Sequence, residues 1–85
     1  MKLTDSSKSE MLNRVRRLEG QVRGVARMIE EDRDCSEILQ QLAAVRAAAH
    51  QAAVALVRVY ASECAANGAS TEVAEALARA LSRLA

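Results

Sequence analysis

Apolar residues return every three or four positions along most of this chain. In the first third they fall at Leu12, Val15, Leu18, Val22, Val25 and Ile29, a spacing that draws one stripe along a helix for packing against another helix. Thr4 to Ser7 offer N-caps, and Ser7 with Glu10 three residues on has the form of a capping box. Gly20 and Gly24 sit inside this helix at a cost of about 1 kcal/mol each relative to Ala. Such a cost is expected where another backbone crosses closely. The acidic run from Glu30 to Asp34 then breaks the pattern as a solvated helix end, and Asp34 or Ser36 can cap a second helix.

The second helix carries Ile38, Leu42, Val45, Ala49, Ala52, Leu56 and Val59 at the same alternating steps. Its middle is small, with Ala43, Ala44, Ala47, Ala48, Ala49, Ala52 and Ala53, so a helix crossing there can approach closely. Asn67 and Gly68 read as a turn, Ser70 or Thr71 as the cap of a third helix, and Val73, Leu77, Leu81 and Leu84 as its single apolar stripe. The prediction is an all-α, three-helix subunit in one domain, 1–85, with helices over about 6–31, 35–65 and 70–84. No repeat, low-complexity linker or strand pattern is evident.

Composition makes self-association the expected remedy for a thin core. A second helix of about 45 Å is longer than a compact monomer of 85 residues should be, given a radius of gyration near 12 Å. With no Pro, Phe or Trp and only Tyr60 as an aromatic, burial must come from aliphatic side chains and Ala. The net charge of +1 does not by itself announce a polyanion partner. Its distribution says more: from Lys8 to Arg27, Lys8, Arg14, Arg16, Arg17, Arg23 and Arg27 stand against only Glu10 and Glu19, and apart from Lys2 and Lys8 every basic residue is Arg. Arg suits bidentate phosphate and base-edge contacts. The polar segment Met1 to Glu10 is unlike a secretory signal, and no apolar run approaches membrane-spanning length, so a cytoplasmic protein without a membrane partner is expected. In that compartment two cysteines are reactive or metal-binding more often than a structural disulfide.

Cys35 and Cys64, the only cysteines, are 29 residues apart in one helix. That is about 43 Å of axis, with both side chains back on nearly the same face. They cannot meet within one chain. For them to act together, a second copy of the helix must run antiparallel, so that Cys35 of one subunit meets Cys64 of the other at two equivalent composite sites.

Three linked motifs then carry a family resemblance along essentially the whole chain. Arg14-Val15-Arg16-Arg17-Leu18-Glu19-Gly20-Gln21-Val22-Arg23-Gly24, Met28-Ile29-Glu30-Glu31-Asp32-Arg33-Asp34-Cys35 and Ile38-Leu39-Gln40-Gln41-Leu42-Ala43-Ala44-Val45-Arg46 resemble the CsoR/RcnR/FrmR family, named for the copper-sensitive operon repressor. The resemblance implies an all-helical transcriptional repressor without a helix-turn-helix, an antiparallel dimer pairing into a tetramer, and release of operator DNA by chemistry at the inter-subunit cysteines. It also implies a DNA contact at Arg14. Where relatives carry a further basic residue in the second helix, this chain has Gln51.

The departures from the family pattern concern the inducer. Copper sensors usually place a His four residues before the second Cys, where this chain has Tyr60, and commonly a Tyr before the first Cys, where it has Asp34; their downstream Glu falls near Ala80. Nickel and cobalt sensing needs more imidazoles than the single His50, and formaldehyde-sensing relatives use an N-terminal Pro that is missing here. A thiol pair without imidazole most resembles the persulfide-sensing CstR-like branch, in which reactive sulfur joins Cys35 and Cys64. The thiolate is the attacking species; a helix start favours it at Cys35 and neighbouring Asp34 opposes it. The same two soft thiolates suit Cu(I), so Cu(I) is the alternative inducer and metal, and no cofactor is obligatory.

Tyr60 is expected to pack or to hydrogen-bond beside the thiol site rather than to ligate. His50, about 21 Å from Cys64 along the axis, lies near the expected two-fold crossing and has a structural role there. Lys8, Arg14, Arg16, Arg17, Arg23 and Arg46, with Gln21 as a polar contact, are the candidate DNA-binding residues; Arg14, Arg17 and Gln21 share one face. No enzyme is implied, since no nucleophile stands with a base and an orienting partner. Two other classes compete: a helical interaction module that binds no DNA and whose cysteines only pack, and a thiol-disulfide enzyme, which lacks the Cys-X-X-Cys spacing.

Overall fold

The computed structural model describes residues 2–66 and 71–84, the side chains of 64–66 and 73 excepted. Three helices follow in order, α1 (Asp5–Glu30), α2 (Cys35–Ala66) and α3 (Thr71–Ser82), with no strand among the described residues. They agree with the expected three helices to within two residues at each end. The predicted Asn67-Gly68 turn and the Ser70 cap lie outside the described residues.

Thr4 caps α1, its side chain accepting a bond from the Ser7 backbone N–H at 3.3 Å. The Ser7–Glu10 capping box is therefore not formed. The cap sits one turn earlier, and Glu10 instead lies 3.7 Å from the Arg14 guanidinium. At its other end α1 closes with the paired bonds of a Schellman motif, Arg33 N–H to Met28 C=O at 3.0 Å and Asp32 N–H to Ile29 C=O at 3.1 Å. That closure requires the left-handed region at Asp32, where φ is 56°. Asp34 then starts α2, its carboxylate accepting from the Ser36 backbone N–H at 3.0 Å and from the Ser36 hydroxyl. Arg33 and Glu37 add an exposed pair at 3.0 Å across the junction. Two consecutive caps thus turn the chain within four residues.

α1 packs along α2, and α3 returns against α2. The α1 stripe is split in a way that the three-four pattern does not reveal. Met11, Leu18, Val25 and Met28 are buried or half-buried, whereas Leu12, Val15, Val22 and Ile29 stay exposed on an adjoining stripe. On α2 the half-buried and buried positions include Ile38, Val45, Ala48, Ala52, Ala53, Val54, Ala55, Val57, Val59 and Tyr60, with Leu39, Leu42 and Leu56 exposed. Each long helix therefore has one apolar stripe for its own hairpin and a second that the hairpin leaves exposed, bordered on α2 by Leu84 after α3. Gly20 and Gly24 meet no crossing backbone, since a Cβ at either would find nothing within 4 Å. The close approach expected there does not occur within the chain, because the α1–α2 contact runs along the Leu18–Val25 face.

The molecule measures 53 × 27 × 12 Å with a radius of gyration of 16.6 Å, well above the ~12 Å of a compact chain of this length. Its accessible surface is 6477 Å², against about 4900 Å² expected for a folded monomer of its mass. Among the described residues only Val25, Ala52 and Ala55 are buried apolar residues. Within Cys35–Glu63 an 18-residue stretch reaches a mean hydropathy of 1.3, long and apolar enough to cross a membrane by length and composition alone, a test that the core helix of a soluble protein also passes. Interspersed alanines raise the mean although no run is continuously large and apolar. Arg46, His50 and Arg58 interrupt that stretch.

Candidate inter-subunit thiol site and nucleic-acid interface

Cys35 is the first residue of α2 and is exposed as a free thiol. Cys64 lies in the last turn of the same helix, and its side chain is outside the described residues. Because α2 runs unbroken from Cys35–Ala66, the two positions stay about 43 Å apart along the axis. A single chain keeps the thiols at its two ends. No group of three or more His, Cys, Asp or Glu side chains comes close enough to hold a metal ion among the described residues. Tyr60 is half-buried one turn before Cys64, and His50 is exposed at the middle of α2.

Between these ends the outward face of α2 carries exposed aliphatic residues interrupted by Arg46. By helical periodicity Leu42, Ala49 and Leu56 share it with Cys35 and position 64. Leu39 and Leu42 also line a cleft of 740 Å³ with Arg46, His50 and Leu84. Next to Cys35, the Ser36 hydroxyl and then the Ser36 backbone N–H hold the Asp34 carboxyl below its ordinary value. The charge capping α2 therefore persists at the sulfur's doorstep into mild acid.

Of the seven residues marked out for DNA, the structure gathers three. Arg14, Arg17 and Gln21 line one cleft between α1 and α2 together with Gln51. Arg46 lines the separate apolar cleft instead. Lys8, Arg16 and Arg23 are exposed on α1, and none of them lines the cleft around Arg14. Arg14 is the most enclosed of the set, with its Nε buried and without a hydrogen-bond partner. The cleft contains one arginine that sequence reasoning missed, Arg58 of α2. Its signal was present in the seven-residue step from Gln51, which keeps both on one face.

A hairpin with an arginine-lined cleft, and with thiols at both ends of one helix, has known counterparts. The family model for metal-sensitive transcriptional repressors matches residues 7–84. The chain belongs to this family. Among its relatives, the copper-sensing transcriptional repressor RicR of Mycobacterium tuberculosis is 43% identical over 84 residues, covering 91% of this chain and 86% of that protein. The copper-sensing transcriptional repressor CsoR of Bacillus subtilis is 42% identical over 64 residues, 75% of this chain and 63% of that protein, so this chain spans a little under two thirds of it. In structure, the nickel-responsive transcriptional regulator InrS superposes with a TM-score of 0.78 at 37% identity, covering 91% of each chain. The all-helical fold expected from the three motifs is therefore that of the metal-sensitive repressors.

Proposed function

We propose that this protein is a cytoplasmic repressor that holds operator DNA through the Arg14 cleft and lets go when Cys35 and Cys64′ of a partner subunit are bridged. One observation carries the reading. A continuous α2 sets Cys35 and Cys64 at its opposite ends, with exposed Leu42 and Leu56 between them on the same side. Two copies laid antiparallel on that face would cover it and bring each Cys35 to a Cys64′. The excess of accessible surface over a compact monomer, about 1500 Å², is what such an assembly would bury from each chain. The same pairing leaves the Arg14 cleft free for DNA, and a pair of such dimers gives the tetramer implied by the motifs.

For the inducer, reactive sulfur is the first reading and Cu(I) the second. The donor set decides the order: two soft thiolates fit Cu(I), but Tyr60 presents a hard phenol where an imidazole would be wanted, and His50 is some 21 Å of helix from Cys64. Bound there, Cu(I) would supply a soft bridge between subunits with no redox change. A persulfide needs only the thiols. Cys35 thiolate takes the outer sulfur from RSSH, releasing RSH; Cys64′ thiolate then attacks the inner sulfur of Cys35–SSH, forming the Cys35–Cys64′ disulfide and expelling HS⁻. The copper-sensing relatives at 42% and 43% identity favour the second reading. In either case the inducer acts only by its differential affinity for the DNA-free conformation.

An operator gel shift with reduced protein, repeated after persulfide donor or Cu(I) and alongside Cys35→Ala and Cys64→Ala, tests this. Release by persulfide that disappears in both variants, with a cross-linked dimer on a non-reducing gel, is the expected result. Release by Cu(I) alone selects the second reading. Release that survives both substitutions removes the thiol site from the mechanism.

A further inference from the structure

The α1/α2 cleft changes character on either side of Arg14. Toward the start of α1 it is lined by Glu10 and Glu63 as well as by Arg14 and Arg58, so its charges nearly balance. In the other direction its walls are Arg14, Gln51 and Arg58, and then Arg17 and Gln21, with no carboxylate among them. Arg58 comes from α2 and makes no ion pair among the described residues. Arg14 comes from α1, and its one carboxylate neighbour, Glu10, is 3.7 Å away, while its Nε is buried and unbonded. Two guanidiniums from different helices thus border one stretch of cleft that has amides and no carboxylate in its walls, and the only acid paired with either is Glu10, on the Arg14 side. Like charges held this way repel, and a shared anion turns that repulsion into two charge-assisted contacts.

We propose that Arg58 acts with Arg14 to seat one backbone phosphate of the operator in the acid-free stretch of this cleft, with the Gln51 amide as a further donor. The inference rests on the repressor reading and extends it by making α2 part of the DNA grip. A phosphate clasped from both helices fixes their spacing at that point. Arg58 also lies only six residues, about 9 Å, before Cys64 on one rigid helix. A shift of the C-terminal half of α2 on bridging Cys64 to Cys35′ therefore moves Arg58 away from Arg14 and opens the clasp.

The test is operator binding by fluorescence anisotropy across a salt series, for the full chain and for Arg58→Ala, Arg58→Gln and Arg58→Lys. Arg33→Ala, outside the cleft, serves as the control, with helicity and assembled mass measured for each. Arg58→Ala and Arg58→Gln should flatten the slope of log affinity against log salt by about 1 for every Arg58 engaged. They should weaken operator and unrelated DNA by the same factor. Arg58→Lys should restore most of the slope, and Arg33→Ala should leave it alone. A well-folded Arg58→Gln protein with the parental slope overturns the inference while the repressor reading stands. Loss of operator preference at constant slope also overturns it, since that marks a base contact. An unsubstituted protein that binds no DNA even at low salt takes down both.

Discussion

On one flank of α2, Gln51 and Arg58 line the cleft shared with Arg14; about half a turn away, Leu42 and Leu56 point outward, 47% and 40% exposed. The first flank is formed within one chain, from α1 and α2 together. The second makes sense only when something apolar lies over it. The difference teaches where the stability of this protein resides. Val25, Ala52 and Ala55 bury little area against the cost of ordering a chain of this length, so the assembly proposed above predicts that covering the outer face supplies much of the hydrophobic stabilisation.

The sharpest way to break the comparison is to charge the outer flank. Leu42→Glu with Leu56→Glu should weaken association by about 2–4 kcal/mol for each substituted site, since such changes leave buried, unpaired charge at an interface core. Sedimentation should then show a monomer, and circular dichroism a large loss of helix at the same concentration. An assembled, fully helical double variant would mean that this face is not what holds the protein together. Next in size comes the cleft. Arg14→Ala should weaken operator binding by about 1–3 kcal/mol and leave the assembled mass untouched, so that the two flanks separate cleanly into a binding and an assembly function.

Gly20 and Gly24 sharpen the same contrast. Both face open space within the chain, so Gly20→Ala and Gly24→Ala should each raise stability by about 1 kcal/mol through helix propensity, read as a higher midpoint in urea. A loss of operator affinity or of assembly in either variant would show that DNA or a second subunit crosses there. Asp32→Gly should give a smaller gain, about 0.5–1 kcal/mol, by relieving a left-handed residue at the helix end. A few degrees in melting temperature would register it.

How far the sequence could be read differs along the same lines. The three helices were legible because periodicity and the Glu30 to Asp34 break act locally, and the α2 length alone separates Cys35 from Cys64. The division of α1 into Met11/Leu18/Val25 and Leu12/Val15/Val22/Ile29 stripes was not legible. A three-four spacing is shared by both, and only the crossing of α1 over α2 decides which stripe is used first. Ser7 offered as good a cap as Thr4 on paper; the helix starts one turn earlier, with Thr4 as the cap and Glu10 beside Arg14. Arg58 escaped notice because it lies 44 residues from Arg14 in sequence, and its seven-residue step from Gln51 shows only a shared face of α2, not that α1 brings Arg14 against it.

The smallest effect concerns the junction that keeps Cys35 at a helix start. Asp34 is exposed, and its carboxyl is held below its ordinary value first by the Ser36 hydroxyl and then by the Ser36 backbone N–H. A depressed folded-state value means that the cap stabilises α2 at every pH above the ordinary Asp range. That contribution is lost as the pH falls through the lowered folded value, since the protonated acid accepts more weakly from both donors. Asp34→Asn keeps an N-cap acceptor but cannot titrate. Its melting temperature should therefore fall less steeply in acid than that of the parent, with the two differing only slightly near neutrality. Identical acid profiles for both would show that other carboxylates set the acid sensitivity and that the Asp34 cap contributes nothing that protonation can remove.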